Sequence, residues 1–266
     1  MKRGLGEIER AFFAYVQLRG LQAVRTGDLR QPLALTAEQE RELLKRLART
    51  GLIARVQRGL YLVPPRLPLG GKWSPGEALA LNTLLDNQKG RYQVCGPNAF
   101  NRYGLDEQVP NRVYAYNNRL SGDRAIGAVS VTLIRVADER LGDTESFKTS
   151  DGHTATYSSR TRALVDAVYD WSRFGSLPRA YGWILRELTA QRVSPAELVK
   201  LTLRYGNTGT IRRIAVLLER AGIDESLLRK LERALGPTTG LIPWNPTVPK
   251  RGTVSRRWGV VVNEHV

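Results

Sequence analysis

The stretch from Thr36 to Pro64 constrains the fold most, because it prescribes a bounded helix and then a two-stranded ribbon in under thirty residues. Thr36 and Gln39 have the spacing of a capping box, in which each side chain satisfies an amide donor of the other. The segment TAEQERELLKRLART predicts a helix over 36–50, with Leu43, Leu44 and Leu47 as its apolar stripe and Gly51 as its left-handed cap. LIARVQRGLYLVP then alternates as a ribbon with its turn at Gln57-Arg58-Gly59.

Upstream, EIERAFFAYVQL places apolar residues at 8, 12, 13, 16 and 18, the pattern of an amphipathic helix that ends at Gly20. LQAV reads as a short extended piece. Thr26 is placed to cap a small helix through Gly27-Asp28-Leu29-Arg30, stopped by Pro32. Helix, short helix, helix and ribbon in about 60 residues is the layout of a winged helix-turn-helix, whose third helix enters a major groove. Pro64, Pro65, Pro68, Gly70 and Gly71 read as a linker. The expected architecture is α+β: a winged helix-turn-helix domain over 1–66, then a larger, helix-rich mixed domain over 72–266.

The larger segment opens with a helix over 74–87, capped by Ser74 with Pro75 behind it. Strand-like pieces follow at 91–95, 112–116, 129–136 and 153–157, with a small helix at 98–103 between them. Helices are expected at 158–174 and 178–191, from Ser194 by a capping box with Glu197, in TIRRIAVLLERAG and in DESLLRKLERALG. From Pro237 the chain is rich in Pro and Gly and ends in a strand over 258–263.

Charge points to the partner. The 266 residues carry a formal net charge of +16. The excess is +7 over 1–66, +1 over 67–150, +5 over 151–236 and +3 beyond. A concentrated positive charge attracts polyanions by releasing their condensed counterions. On the third helix Arg41, Lys45 and Arg49 recur every four residues opposite the leucines, with Arg46 alongside, and Arg55 and Arg58 add cations on the ribbon. These six are the candidate contacts to phosphates and base edges of double-stranded DNA. Three glutamates on the same helix oppose that role. Lys200, Arg204, Arg212 and Arg213 are candidates for a second basic face.

Catalytic chemistry has little to stand on. The histidines are His153 and His265, and the single cysteine is Cys95, so neither a nucleophile–histidine pair nor a thiol metal site is indicated. No glycine-rich phosphate loop is present, and no metal or other cofactor is expected. The enzyme alternative is a metal-dependent nuclease using Asp123, Asp143, Glu145 and Lys148, although the odd spacing of Glu145 and Lys148 puts them on opposite faces of a strand. A second alternative is an adaptor whose winged helix binds protein. No apolar run approaches the roughly 20 residues of a membrane span. The first ten residues do not read as a signal peptide, and a cytoplasmic protein is expected.

Four segments in this order carry a resemblance: Arg58-Gly59-Leu60-Tyr61 with Val63-Pro64; YGLDEQVPNRVYAYNN at 103–118; TRALVDAVYDWSRFG at 161–175; and the tail LIPWNPTVPKRG…RRWGVVVNE. The chain resembles the AbiEi-type antitoxin regulators of bacterial type IV toxin–antitoxin systems over nearly its whole length. The resemblance implies a repressor of its own operon that binds inverted promoter repeats through its winged helix, with Arg41, Lys45, Arg46, Arg49, Arg55 and Arg58 as contacts; the sequence shows no kinase loop or other transfer site, and no enzymatic activity is expected. It also implies that the C-terminal domain counters a nucleotidyltransferase-like toxin without a stable complex. Winged-helix repressors commonly meet two half-sites, so pairing on DNA is expected.

Overall fold

The computed structural model describes residues 5–67, 71–236 and 240–263 and is mixed α+β, with ten α-helices and three sheets among the described residues. Pro68 and Gly70 of the linker, Pro237 at the start of the tail, and His265 lie outside the described residues. Among the described residues, no helix is long and apolar enough to cross a membrane. The chain divides into two compact units. One comprises 1–93, 111–141 and 146–156, and the other 94–110, 142–145 and 157–266.

In the first unit, α1 (Glu7–Leu18) buries Phe12, Phe13 and Val16. These pack with Leu43, Leu44 and Leu47 of α2 (Ala37–Arg49), and with Val24, Leu29, Ile53 and Val63. Leucines at three- and four-residue spacing share one side of a helix, which is why α2 presents a single apolar stripe. The capping box forms as expected: the Thr36 hydroxyl accepts from the Gln39 amide at 3.1 Å, and the Gln39 carbonyl oxygen accepts from the Thr36 amide at 2.9 Å.

The expected helix at Gly27–Arg30 is replaced by consecutive turns over 26–34. The cause is Glu40, whose fully buried carboxylate accepts from the amides of Gly27 (2.9 Å) and Leu29 (3.0 Å) and from Nε of Arg30 (3.2 Å). Those amides are satisfied by a side chain on α2, so helical turns are not needed to satisfy them. Among its described residues, the N-terminal segment therefore holds two helices, not three.

The ribbon forms from β2 (Ala54–Gln57) and β3 (Leu60–Leu62), with Gly59 at φ 76° in the turn, a backbone conformation that favours glycine. The LQAV piece contributes β1 (Ala23–Arg25), which pairs antiparallel with β3, giving the order β1-β3-β2.

Helix α3 (Glu77–Asn87) begins later than expected. Ser74 does not cap it, because its hydroxyl accepts from the Ala128 amide at 2.9 Å, and Gly76 holds the N-cap position. The six-stranded sheet combines β4 (Tyr92–Val94), β5 (Val113–Asn117), β6 (Gly122–Ile126), β7 (Val129–Arg135), β8 (Thr144–Lys148) and β9 (Thr154–Ser158) in the order β6-β7-β5-β4-β9-β8. Strands β6 and β8 are additions to the expected set. The small helix α4 (Pro97–Arg102) follows β4.

The second unit is built around α5 (Arg160–Tyr169), whose residues 161–168 are all buried. The expected helix over 158–174 is broken at Asp170 into α5 and the short α6 (Trp171–Phe174). Around α5 pack α7 (Arg179–Thr189), α8 (Pro195–Tyr205) and α9 (Thr208–Arg220), with α10 (Glu225–Arg233) against α8 and α9. The Ser194 hydroxyl caps α8 through the Glu197 amide, but the Glu197 carboxylate takes the Thr161 hydroxyl at 3.0 Å instead of completing a box. The tail forms a small sheet from β10 (Ile242–Pro243), β11 (Thr253–Ser255) and β12 (Val260–Val262), in the order β10-β12-β11. Trp244 and Trp258 are buried, and Trp244 stacks on Tyr181 with ring centroids 4.5 Å apart.

Buried Glu187 on α7 accepts from both Nε (2.9 Å) and Nη2 (2.7 Å) of Arg192, and from Arg160 at 2.8 Å. The Arg192 hydrogen bonds, and then Arg160, hold its carboxyl below the ordinary value of 4.5. The unfolded chain binds that proton more readily than the native one, so the stabilisation is present above about pH 4.5 and is lost as pH falls through the lower native value. Thermal unfolding is expected to shift downward between neutral pH and about pH 3, with a smaller shift in Glu187→Gln. An equal shift in that variant would remove Glu187 as a source of the acid sensitivity.

Candidate nucleic-acid interface

The solvent face of α2 presents Arg41, Lys45, Arg46 and Arg49, all exposed. They are not equivalent. Arg46 is held by Glu9 of α1 at 2.8 Å, and Lys45 meets Glu42 at 3.4 Å with both side chains well exposed. An exposed pair of that kind contributes little and is readily exchanged for another partner. Among the described residues, no carboxylate lies within ion-pair distance of Arg41, Arg49, Arg55 or Arg58. Arg55 projects from β2, where its Nε reaches the Gln57 carbonyl at 3.5 Å, and Arg58 is exposed beside the Gly59 turn.

The glutamates of α2 divide by position. Glu38 and Glu42 are exposed on the basic side, whereas Glu40 points inward and is consumed by the 26–34 turns. Its charge is taken up by two backbone amides and Arg30, so one of the three carboxylates expected to oppose a polyanion is withdrawn from the surface.

One further cation belongs with this set. Lys72 runs over Gly51 at the end of α2, close enough that a Cβ at Gly51 would stand 3.3 Å from its Cγ. The Trp73 amide donates to the Gly51 carbonyl at 2.7 Å and ties the returning chain there. Arg49, Arg55 and Lys72, with Thr50 between them in the lining, border a concavity of about 340 Å³. Lys72 is absent from the expected set because it follows a Pro/Gly-rich stretch that reads as linker. The sequence pattern carries no signal that the chain turns back to α2.

The second basic face does not assemble as expected. Lys200 and Arg204 are exposed on α8, but Arg212 and Arg213 on α9 are buried. Arg212 donates from Nε to the Trp258 carbonyl at 2.6 Å and from Nη2 to the carbonyls of Gly240 (2.7 Å) and Gly259. Arg213 donates to the Pro243 carbonyl at 3.3 Å. Burial lowers the proton affinity of both guanidiniums. These two arginines serve as internal ties for the tail and are unavailable to a surface ligand.

The nuclease candidates are each engaged separately. Asp123 on β6 accepts from the Thr132 hydroxyl (2.7 Å) and from Arg112 (2.9 Å), which together hold its carboxyl below the usual range. Asp143 accepts from the hydroxyl of Ser159, the cap of α5. Glu145 on β8 accepts from the Arg160 amide at 3.4 Å, and Lys148 is exposed. Among the described residues, no group of three or more His, Cys, Asp or Glu side chains is arranged to hold a metal ion. Cys95 is buried, and His153 is half-buried on the segment after β8.

No family model and no curated protein matches the chain. Among solved structures it is similar to the crystal structure of the RV2827C protein from Mycobacterium tuberculosis, at 16% sequence identity and a TM-score of 0.60. The likeness covers 97% of this chain and 92% of that one. At that identity it shows a shared fold.

Proposed function

We propose that the chain is a DNA-binding autorepressor and antitoxin of a type IV toxin–antitoxin, abortive-infection system. In this reading residues 1–66 act as a winged helix-turn-helix in which the 26–34 turns stand in place of the short middle helix, with α2 in the major groove and the β2–β3 hairpin as wing. They bind inverted repeats in the chain's own promoter, with two copies on the two half-sites. Residues 72–266 form the antitoxin domain and oppose a nucleotidyltransferase-like toxin without a stable complex. The protein acts in the cytoplasm and catalyses no reaction.

The observation that carries the reading is the run of cations without carboxylate partners on α2 and the hairpin, Arg41, Arg49, Arg55 and Arg58, together with the inward turn of Glu40. The antitoxin half rests on the four-segment resemblance in the sequence. The positions of these residues support a division of labour: Arg41, Lys45 and Arg49 suit base edges and flanking phosphates, and Arg58 suits phosphate or minor groove beside the turn. Arg46 is a weaker contributor because contact with DNA competes with Glu9.

Alanine at both Arg49 and Arg58 is expected to lower affinity for upstream DNA and to make its salt dependence shallower by about 2 in log–log slope. Lys72→Ala is expected to weaken binding to all sequences alike and reduce the slope by about 1, as loss of a phosphate contact does. Fluorescence anisotropy over a salt series measures both. Unchanged affinity and slope in the double variant would remove α2 and the hairpin as the interface. For the antitoxin half, co-expression of the full chain with the product of the neighbouring gene is expected to restore growth that the neighbour alone arrests.

A further inference from the structure

On α8, Ala196, Val199, Lys200, Leu203 and Arg204 follow the i, i+3, i+4, i+7, i+8 spacing of a single helical stripe. With Lys230 of α10 they line a concavity of about 580 Å³ within the second unit. Val199 is buried and Leu203 half-buried beneath it, while Lys200, Arg204 and Lys230 stand exposed. The result is an apolar floor with cations around it.

Those cations lack local counter-charges. Glu197, on the same helix, is taken by the Thr161 hydroxyl at 3.0 Å. On α10, Glu225 and Glu232 converge on Arg257 at 2.7 and 2.9 Å. Among the described residues, Lys200, Arg204 and Lys230 form no ion pair with a carboxylate, and Arg204 lies instead over the Tyr205 ring, 5.3 Å from its centroid. A phosphate backbone would use the charge and leave the floor idle. A helix with an apolar ridge and flanking carboxylates uses both, in the helix-in-groove mode of recognition.

We propose that the groove between α8 and α10 docks an acidic amphipathic helix of a partner protein. Its apolar ridge lies on Ala196 and Leu203, above buried Val199, and its carboxylates meet Lys200, Arg204 and Lys230. The site uses none of the residues of the α2 face and stands whether or not the chain binds DNA.

The test titrates the full chain into a fluorescein-labelled helical peptide of about 18 residues, roughly 27 Å long, with a leucine ridge flanked by glutamates. A scrambled peptide of the same composition is the control. The ordered peptide is expected to bind at least about tenfold more tightly than the scrambled one. Lys200→Glu/Arg204→Glu/Lys230→Glu is expected to lose that preference while retaining the wild-type circular dichroism spectrum and the wild-type affinity for upstream DNA. Because the three changes are exposed, this variant separates docking from folding. Leu203→Glu tests the floor independently and is expected to weaken the ordered peptide selectively.

Four results would each overturn the proposal. They are no binding of the ordered peptide, equal binding of the scrambled peptide, wild-type peptide affinity in the triple variant, and displacement of the peptide by duplex DNA whose own affinity falls in that variant. The last would make the groove a nucleic-acid surface.

Discussion

Glu40→Ala is expected to destabilise the N-terminal segment by about 3 kcal/mol and to abolish binding to upstream DNA. The carboxylate is fully buried and is the acceptor for two backbone amides and Arg30. Removing it leaves the buried Leu29 amide without a partner, at a cost of about 1–3 kcal/mol, and also takes the acceptor from the more exposed Gly27 amide and from Arg30. The loss falls on the 26–34 turns, whose Leu29 fills the core beneath α2, so the orientation of the basic helix should be lost with it. Glu40→Gln keeps one acceptor oxygen but aims an amide at donor groups, and should fall between wild type and alanine. Denaturant unfolding and DNA binding measure the two consequences. Alanine at Glu38 or Glu42 has the opposite expected sign for DNA, because those exposed carboxylates lie on the basic side of α2.

The second large effect is expected at Arg212. Its guanidinium gathers the carbonyls of Trp258, Gly240 and Gly259 onto α9, tying together the strands of the tail. Arg212→Met fills much of the same volume but takes the guanidinium donor from the Trp258 and Gly240 carbonyls, while Gly259 keeps the Ile242 amide, and is expected to destabilise the second unit by about 3 kcal/mol. Arg212→Lys should rescue little. One ammonium cannot reproduce the planar fork that serves two carbonyls from one edge and a third from Nε. Fluorescence of Trp244 and Trp258, both buried, gives a direct readout. Near-wild-type unfolding in Arg212→Met would mean that the tail is held by its tryptophans and its other ties, such as Arg213 to Pro243, without Arg212.

These two residues also mark where the sequence stops being informative. Helix α2 was legible because its stop and start signals, Thr36-x-x-Gln39 and Gly51, are local and its leucines keep a strict period. Glu40 sits at an ordinary surface-type residue in that pattern, and its amide partners lie 11 and 13 residues away, so nothing local predicts that turns replace the short helix. Arg212 and Arg213 look like a basic pair on an exposed helix, yet their acceptors are 28 to 47 residues downstream. Strands β6 (GDRAI) and β8 (TESFK) lack apolar alternation because most of their residues are exposed. In the candidate interface, the six expected cations are all exposed, while the tie of Arg46 to Glu9 and the placement of Lys72 depend on tertiary structure alone.

Sequence-specific recognition of the chain's own promoter is tested by a mobility-shift titration on upstream DNA with random duplex as competitor. It should be run at about 50 and about 200 mM salt, because phosphate-driven binding weakens steeply over that range. The complex is expected to survive an excess of random competitor at both concentrations and to be lost from the Arg49→Ala/Arg58→Ala variant. A complex erased by competitor, or retained equally on random DNA, would contradict sequence-specific recognition. The +16 charge would then be a non-specific attraction and not an operator-reading surface.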